Sequence, residues 1–243
     1  MKFKEYYNDE YIKDFAARIK KAVQYFDDEL FVSRLKGKLD DKELFQRLDL
    51  ITDVFIQAIG DDYDNNITYL FDALDEELPE ARGMYDKGWI YWPLSRYVER
   101  EGNRNLMLSF EFTAELTKRF TGEFAVRPLL KENPSEGMRV LLTWTKDGNV
   151  HVRRAASEGV RIRLPWAKRL YAALAEFDVY KRILTNLADD KERFVQKSVA
   201  NNLNDLFKEA PDKANDILEE WKSLPPTKER EFVVKHGTRS LRK

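Results

Sequence analysis

The feature that most restricts the fold of this chain is a helical pattern that returns at a period near 40 residues. Val152, Ala155, Ala156, Gly159 and Val160 are apolar or small at helical spacing. They follow a polar turn in which Asp147 and Asn149 are residue types that cap a helix start. The stretch DDKERFVQKSVANNLNDL, from Asp189, repeats the pattern 43 residues later, with Val195 standing for Val152 and Lys197 for Arg154. A weaker third copy, TKEREFVVKHGTRSLRK, places Val233 and Lys235 a further 38 residues on. A polar turn entering a Val-basic helix at such a period predicts HEAT-like helix pairs, stacked so that second helices lie side by side. Strand-like alternation is absent. The expected fold class is all-α, an α-solenoid of HEAT-like helical repeats. One domain is expected over 1–243, with N-terminal repeats in 1–120 and the motif-bearing repeats in 121–243.

That register predicts which side chains become neighbours. Arg154 and Glu158 are four apart and share a helix face. Glu158 aligns with Asn201, and Asp205 is one turn further on that face. The ladders Arg154–Glu158, Lys197–Asn201–Asp205 and Lys235–Arg239–Lys243 should therefore run in parallel. They predict an exposed surface with two carboxylates on adjacent helices, rimmed by cations. Arg153, Arg161 and Arg163 add positive charge on the same stretch, and Trp144 and Trp166 add flat aromatic faces. Pro165 forces the chain out of the helix just before Trp166. Plainer readings stand beside these: Arg154–Glu158 as a solvated pair, Asp205 as a cap, Trp166 as a plug between repeats. Asn202 falls on the apolar stripe with Val195, Val199 and Leu206, where an unpaired amide would be costly. It is expected to bond backbone between repeats.

Charge is unevenly divided. Residues 1–100 carry 15 Lys/Arg against 22 Asp/Glu, and residues 101–243 carry 27 against 21. Between Arg139 and Arg169 there are eight basic residues to two acidic, the footprint a polyanion partner requires. The absence of Cys excludes disulfides, iron–sulfur clusters and thiol nucleophiles. With only His151 and His236, a zinc site would need carboxylates for its other ligands, and no metal or cofactor is expected. No apolar run reaches membrane length and the start, MKFKEYYNDE, is too polar for a signal peptide, so a cytoplasmic location is expected.

The first hundred residues read as helices over 11–26, capped by Asn8, over 44–58, and over 68–78, ended by Pro79. Asp61, Asp62 and Asp64 lack the Gly and Glu of a calcium loop and read as a solvated turn. Trp89, Tyr91 and Trp92 should pack between repeats, and one of Tyr25, Phe26 or Phe31 could reach a cleft. Helices follow after Trp92-Pro93 and over 110–120. Thr121-Gly122 then breaks the chain before Glu123, whose spacing alone marks it only as a helix-start carboxylate.

HVRRAASEGVRIRLPW, SVANNLNDL and TGEFAVRPLL together resemble the AlkC-type DNA alkylation repair glycosylases of the HEAT-like (AlkC/AlkD) superfamily. The resemblance is strongest from Thr121 onward. It implies a solenoid whose concave face binds duplex DNA containing alkylated bases. It also implies hydrolysis of the N-glycosidic bond of small cationic lesions such as 3-methyladenine. The family's catalytic carboxylates fall on Glu123, Glu158 and Asp205, its aromatic lesion contact on Trp166, and a basic cleft residue on Arg154. The DNA-binding set expected here is Arg153, Arg154, Arg161, Arg163, Lys197, Lys235 and Arg239. Some relatives add a C-terminal immunoglobulin-like domain, and none is expected in this chain. A monomer is expected.

A 3-methylpurine is already cationic, so its departure needs no protonation and no histidine acid. Cleavage builds oxocarbenium-like charge on the sugar, which carboxylates stabilise while orienting water. Two other functions compete with this one: a DNA-binding relative without glycosylase activity, and a HEAT-type protein-interaction scaffold.

Overall fold

The structure, a computed structural model, describes residues 2–81, 85 and 87–242. Lys243, the end of the third ladder, lies outside the described residues. The chain divides into two compact units, Met1–Thr121 and Gly122–Lys243. Among the described residues both are helical and neither contains a strand.

The N-terminal unit holds α1 (Asp9–Ala22), α2 (Asp28–Leu35), α3 (Leu44–Ile59), α4 (Tyr63–Leu70), α5 (Trp92–Glu101) and α6 (Leu106–Thr117). Asn8 caps α1 as expected, its Oδ1 accepting from the Tyr11 amide at 3.0 Å. That helix ends at Ala22 rather than near Phe26, although Val23 and Phe26 stay fully buried. The helix expected over 68–78 forms earlier, as α4 followed by a 3-10 turn over Phe71–Ala73. The reason is Asp62, which accepts from the Asn65 amide and starts the helix at Tyr63. An aspartate read as part of a solvated turn is thus a cap. The helix expected from 110 likewise begins at Leu106, capped by Asn105. Trp89 packs on Tyr7 and Tyr11 at ring separations of 5.2 and 5.3 Å. Tyr7 and Tyr11 donate their hydroxyls to the Trp89 and Ile90 carbonyls, pinning that turn to α1. Phe26 and Phe31 belong to this core, whereas Tyr25 is half exposed, with its hydroxyl donating to Asn66.

The C-terminal unit holds α7 (Val126–Glu132), α8 (Pro134–Trp144), α9 (Val150–Glu158), α10 (Ala172–Ala175), α11 (Phe177–Ala188), α12 (Arg193–Glu209), α13 (Pro211–Lys222) and α14 (Lys228–Gly237). Here the repeat register is realised. The first helices α8, α11 and α13 follow one another, and the second helices pack as α9 on α12 and α12 on α14. Val152, Val195 and Val233, the equivalent positions of the three copies, are all fully buried. Asn149 caps α9, accepting from the His151 amide at 2.9 Å, and Asp147 accepts from the Asn149 amide.

Polar side chains fasten the α9–α12 seam inside the core. Asn202 Nδ2 donates to the carbonyls of Ser157 (2.7 Å) and Ser198 (3.1 Å), and its Oδ1 accepts from the Tyr180 hydroxyl at 3.2 Å. The expected bond to backbone across repeats is present. Gly159 permits a second close approach, because a Cβ there would lie 2.6 Å from Val126 Cγ2. That contact lets α7 lie against the end of α9.

Replacing Asn202 with Ala strands a buried hydroxyl and two carbonyls, and should cost about 2–4 kcal/mol, the sum of one or two unsatisfied groups. Gly159→Ala should cost about 1–3 kcal/mol through overpacking against Val126. Urea unfolding at constant m-value checks both; a change below half a kcal/mol in either would contradict the packing described.

Candidate active site

Glu158 is the last residue of α9, and Arg154 sits one turn earlier on the same face. After Glu158 the chain leaves the helix and turns, which brings Arg161 to Oε1 of the same carboxylate, the oxygen that Arg154 also faces. Asp205 reaches the site from one turn before the end of α12, and Glu123 from the turn just before α7. The result is a line of alternating charge. Glu123 accepts from Arg154 at 2.9 Å, and Arg154 lies 3.5 Å from Glu158. Arg161 donates to Glu158 at 2.7 Å and to Asp205 at 3.0 Å. The Arg154 guanidinium also lies over the Phe194 ring, 5.1 Å from its centroid.

The expectation of an exposed carboxylate surface rimmed by cations is corrected here. Glu123, Glu158 and Asp205 are all buried, at 2, 5 and 5% exposure, and Arg161 at 7% is buried with them. Cations stand between the acids rather than around them. The physical reason is that α9 and α12 pack closely enough to exclude water from that face, and carboxylates so placed require guanidinium partners. Glu158 has a further partner. Ser198 donates to its Oε2 at 2.6 Å, and Ser198 in turn accepts from Ser157 at 2.6 Å. Contacts across the seam are offset by 40 to 45 residues, which brackets the sequence period.

Electrostatics separate the three acids. Burial alone would raise the Glu158 pKa, but Arg154, Arg161 and the Ser198 hydrogen bond outweigh it and hold the carboxyl below its ordinary value. Burial prevails at Glu123, pushing its pKa up against Arg154, with the Glu158 charge adding to the rise. Burial also raises Asp205 more than Arg161 lowers it. The site therefore holds one firmly anionic carboxylate flanked by two that take up protons more readily than usual.

Trp166 stands on the turn after Pro165, 71% exposed. It is the one non-glycine among the described residues with a positive φ, +62°. A left-handed backbone costs an ordinary residue about 1–2 kcal/mol, so this turn is held against strain. Exposure of that degree is not that of a plug between repeats. Trp144, by contrast, is buried.

The remaining basic residues divide into two groups. Arg153 is engaged by Asp190 at 2.7 Å and by the carbonyls of Asp147 and Gly148, so it fastens inter-helix turns. Arg161 is engaged inside the carboxylate line. Lys197, Lys235 and Arg239 are exposed on α12 and around the end of α14, with Arg239 donating to Asn201 at 3.0 Å. Half-buried Arg163 lies 3.5 Å from Glu209. Burial, then the nearby charges of Arg239 and Lys197, depress the His236 pKa.

Sequence reasoning missed Ser157, Ser198 and Arg127. Arg127 is buried four residues after Glu123 and donates to the carbonyls of Gly159 (3.3 Å), Arg161 (2.7 Å) and Lys168 (2.5 Å). Burial and the neighbouring Arg161 push its pKa down to about 10, against the pull of the three acids. Its signal was legible: a lone charge inside AVRPLL, an otherwise apolar run.

Residues 122–236, nearly all of the C-terminal unit, match the family described as DNA alkylation repair enzyme. Over 99% of its length the chain is 32% identical to YhaZ of Bacillus subtilis (strain 168), described as an uncharacterized protein, and spans 64% of it. The fold is similar to that of the Pseudomonas fluorescens alkylpurine DNA glycosylase AlkC bound to DNA containing an abasic site analog. That likeness has a TM-score of 0.84 at 29% identity, over 100% of this chain and 65% of the other. The chain thus spans just under two thirds of the length of each. Family match and fold likeness point the same way: residues 122–236, the segment that holds the alternating carboxylates and guanidiniums, match the DNA alkylation repair enzyme family, and the whole chain is similar in fold to AlkC.

Proposed function

We propose that this chain is a monofunctional DNA glycosylase that hydrolyses the N-glycosidic bond of cationic alkylated bases, 3-methyladenine and similar small N-methyl lesions, in duplex DNA. The observation that carries the reading is Glu158, an anionic carboxylate fixed by two guanidiniums and a serine hydroxyl in a buried site. Breaking the bond to a cationic base releases a neutral base and leaves positive charge on the sugar. Carboxylates held in place before the reaction stabilise that charge without reorganising, and one of them orients the attacking water. No proton donor to the base is required. Trp166 offers a solvent-facing ring to the lesion, worth about 1–2 kcal/mol toward a cation once desolvated and less toward a neutral base. Arg163, Lys197, Lys235 and Arg239 serve phosphate contacts; Arg153 and Arg161 serve the architecture.

The direct test is release of 3-methyladenine from methylated duplex DNA. Wild type should release it, and Glu158→Gln and Asp205→Asn should each lose about 100- to 1000-fold in single-turnover rate, the effect of removing one preorganised electrostatic group. Salt-sensitive DNA binding should survive in both. No release by wild type, with that binding intact, would instead make the protein a non-catalytic DNA-binding relative.

The raised pKa values of Glu123 and Asp205 set the acid limb of the rate profile. Both are needed as anions, so the rate should fall as pH drops through values above the ordinary carboxylate range of about 4. Their protonation does not unfold the protein, because a pKa raised in the folded state means that the folded state binds the proton more tightly. Glu158 has the opposite sign: its stabilisation is complete above the unfolded value of about 4.3 and is lost only as pH falls through its lower folded value. A window of mild acidity should therefore exist in which the protein is folded, inactive and fully recoverable on returning to neutral pH. Circular dichroism beside base release checks this; unfolding that coincides with the loss of rate would contradict it. A bound cationic base favours the anions, so the limb should lie lower for kcat than for kcat/KM.

A further inference from the structure

Between Glu158 and Ala172 the chain runs thirteen residues with no helix, and this segment carries Arg161, Arg163 and Trp166. Its own backbone bonds are sparse. Leu170 N donates to Ile162 O at 3.2 Å and Ala167 N to Leu164 O at 3.3 Å, while the left-handed Trp166 lies between them. Arg161 ties the segment to Glu158 and Asp205 and Arg163 lies against Glu209, but the buried side chain of Arg127 reaches it on both sides of Trp166. One Nη donates to the Gly159 and Arg161 carbonyls where the segment begins, and the other to the Lys168 carbonyl two residues beyond Trp166. The same helix follows directly from the turn that presents Glu123.

We propose that Arg127 is a positioning residue, a clasp that spans the segment over 159–168 from inside and holds Trp166 in its left-handed, outward conformation. The clasp works by geometry as much as by charge. A planar guanidinium offers donors in a rigid fork that reaches separate carbonyls at once, which a lysine ammonium at the end of a flexible stem does not reproduce. An arginine used this way has no carboxylate of its own in hydrogen-bond contact. It still places a third guanidinium among three acids, so that Glu123, Glu158 and Asp205 face Arg127, Arg154 and Arg161 in equal number. The consequence for function rests on the glycosylase reading above: with the clasp gone, the aromatic contact loses its fixed place and discrimination for cationic bases falls.

The experiment labels the five tryptophans with 5-fluorotryptophan and follows them by fluorine NMR, Trp166 being assigned with Trp166→Phe. In Arg127→Met the Trp166 line should shift and sharpen while the other four hold. Amide exchange over 162–170 should rise at least tenfold, with α9 and α12 still protected. Arg127→Lys keeps the charge and should show the same loosening. Preference for 3-methyladenine over a neutral lesion should drop about tenfold in both variants, mostly in KM. An unchanged Trp166 line and unchanged exchange over 162–170 in the two variants would overturn the proposal. Loosening with Met but full rescue by Lys would overturn the clasp and leave a charge effect. If both variants unfold, the wild-type protein decides: its Arg127 Nη protons should show slowed rotation about Nε–Cζ, and a freely rotating guanidinium would refute the assignment. The NMR and exchange results stand whether or not the protein releases bases, so failure of the clasp and failure of the glycosylase reading are told apart.

Discussion

The C-terminal unit depends on guanidiniums that each serve two acids. Burying a carboxylate is unfavourable by several kcal/mol unless partners replace its water, and three carboxylates are buried within one seam here. Arg154 answers Glu123 and Glu158, and Arg161 answers Glu158 and Asp205. Because one helix, one turn and the next repeat supply the members, the line can exist only where α7, α9 and α12 are correctly docked. The ionic chemistry and the repeat packing are therefore one structure, not a site laid on a scaffold.

The packing in turn depends on small and amide side chains at the seam. Gly159 admits α7, and Ser157, Ser198 and Asn202 let α9 and α12 approach while satisfying the polar groups they bring. Burial so close to the site is what raises Glu123 and Asp205, while the hydroxyl of Ser198 helps keep Glu158 ionised. A difference in protonation among three chemically similar acids thus follows from which of them gained a second guanidinium and a hydroxyl.

Much of this was legible in the sequence, for identifiable reasons. The 43-residue offset between Val152 and Val195 names helices that pack, because stacked repeats convert an equal position into a neighbour. Asn202 could be read because an amide on an apolar stripe has few affordable partners. Burial of the carboxylates could not be read: periodicity gives the face on which Glu158 and Asp205 lie, not how tightly the next helix closes over it. Arg161 was read as a DNA contact because a helix wheel cannot anticipate the turn after Glu158 that folds it inward. Arg127 escaped because its partners are carbonyls, which every residue has and no pattern marks. In the N-terminal unit the misplaced start of α4 has the same origin, since Asp62 caps a helix in one conformation and solvates a turn in another.

The double duty of Arg161 also bears on how such a site can be inherited. A change at Arg161 leaves two buried acids without their shared cation, while a change at either acid alone leaves the arginine still held by the other. Substitutions in the line are thus unequal and order-dependent: the acids tolerate single steps that the arginine between them does not. Arg161 is thus the member of the line whose loss is felt at two places at once, once in each of the two helices it joins.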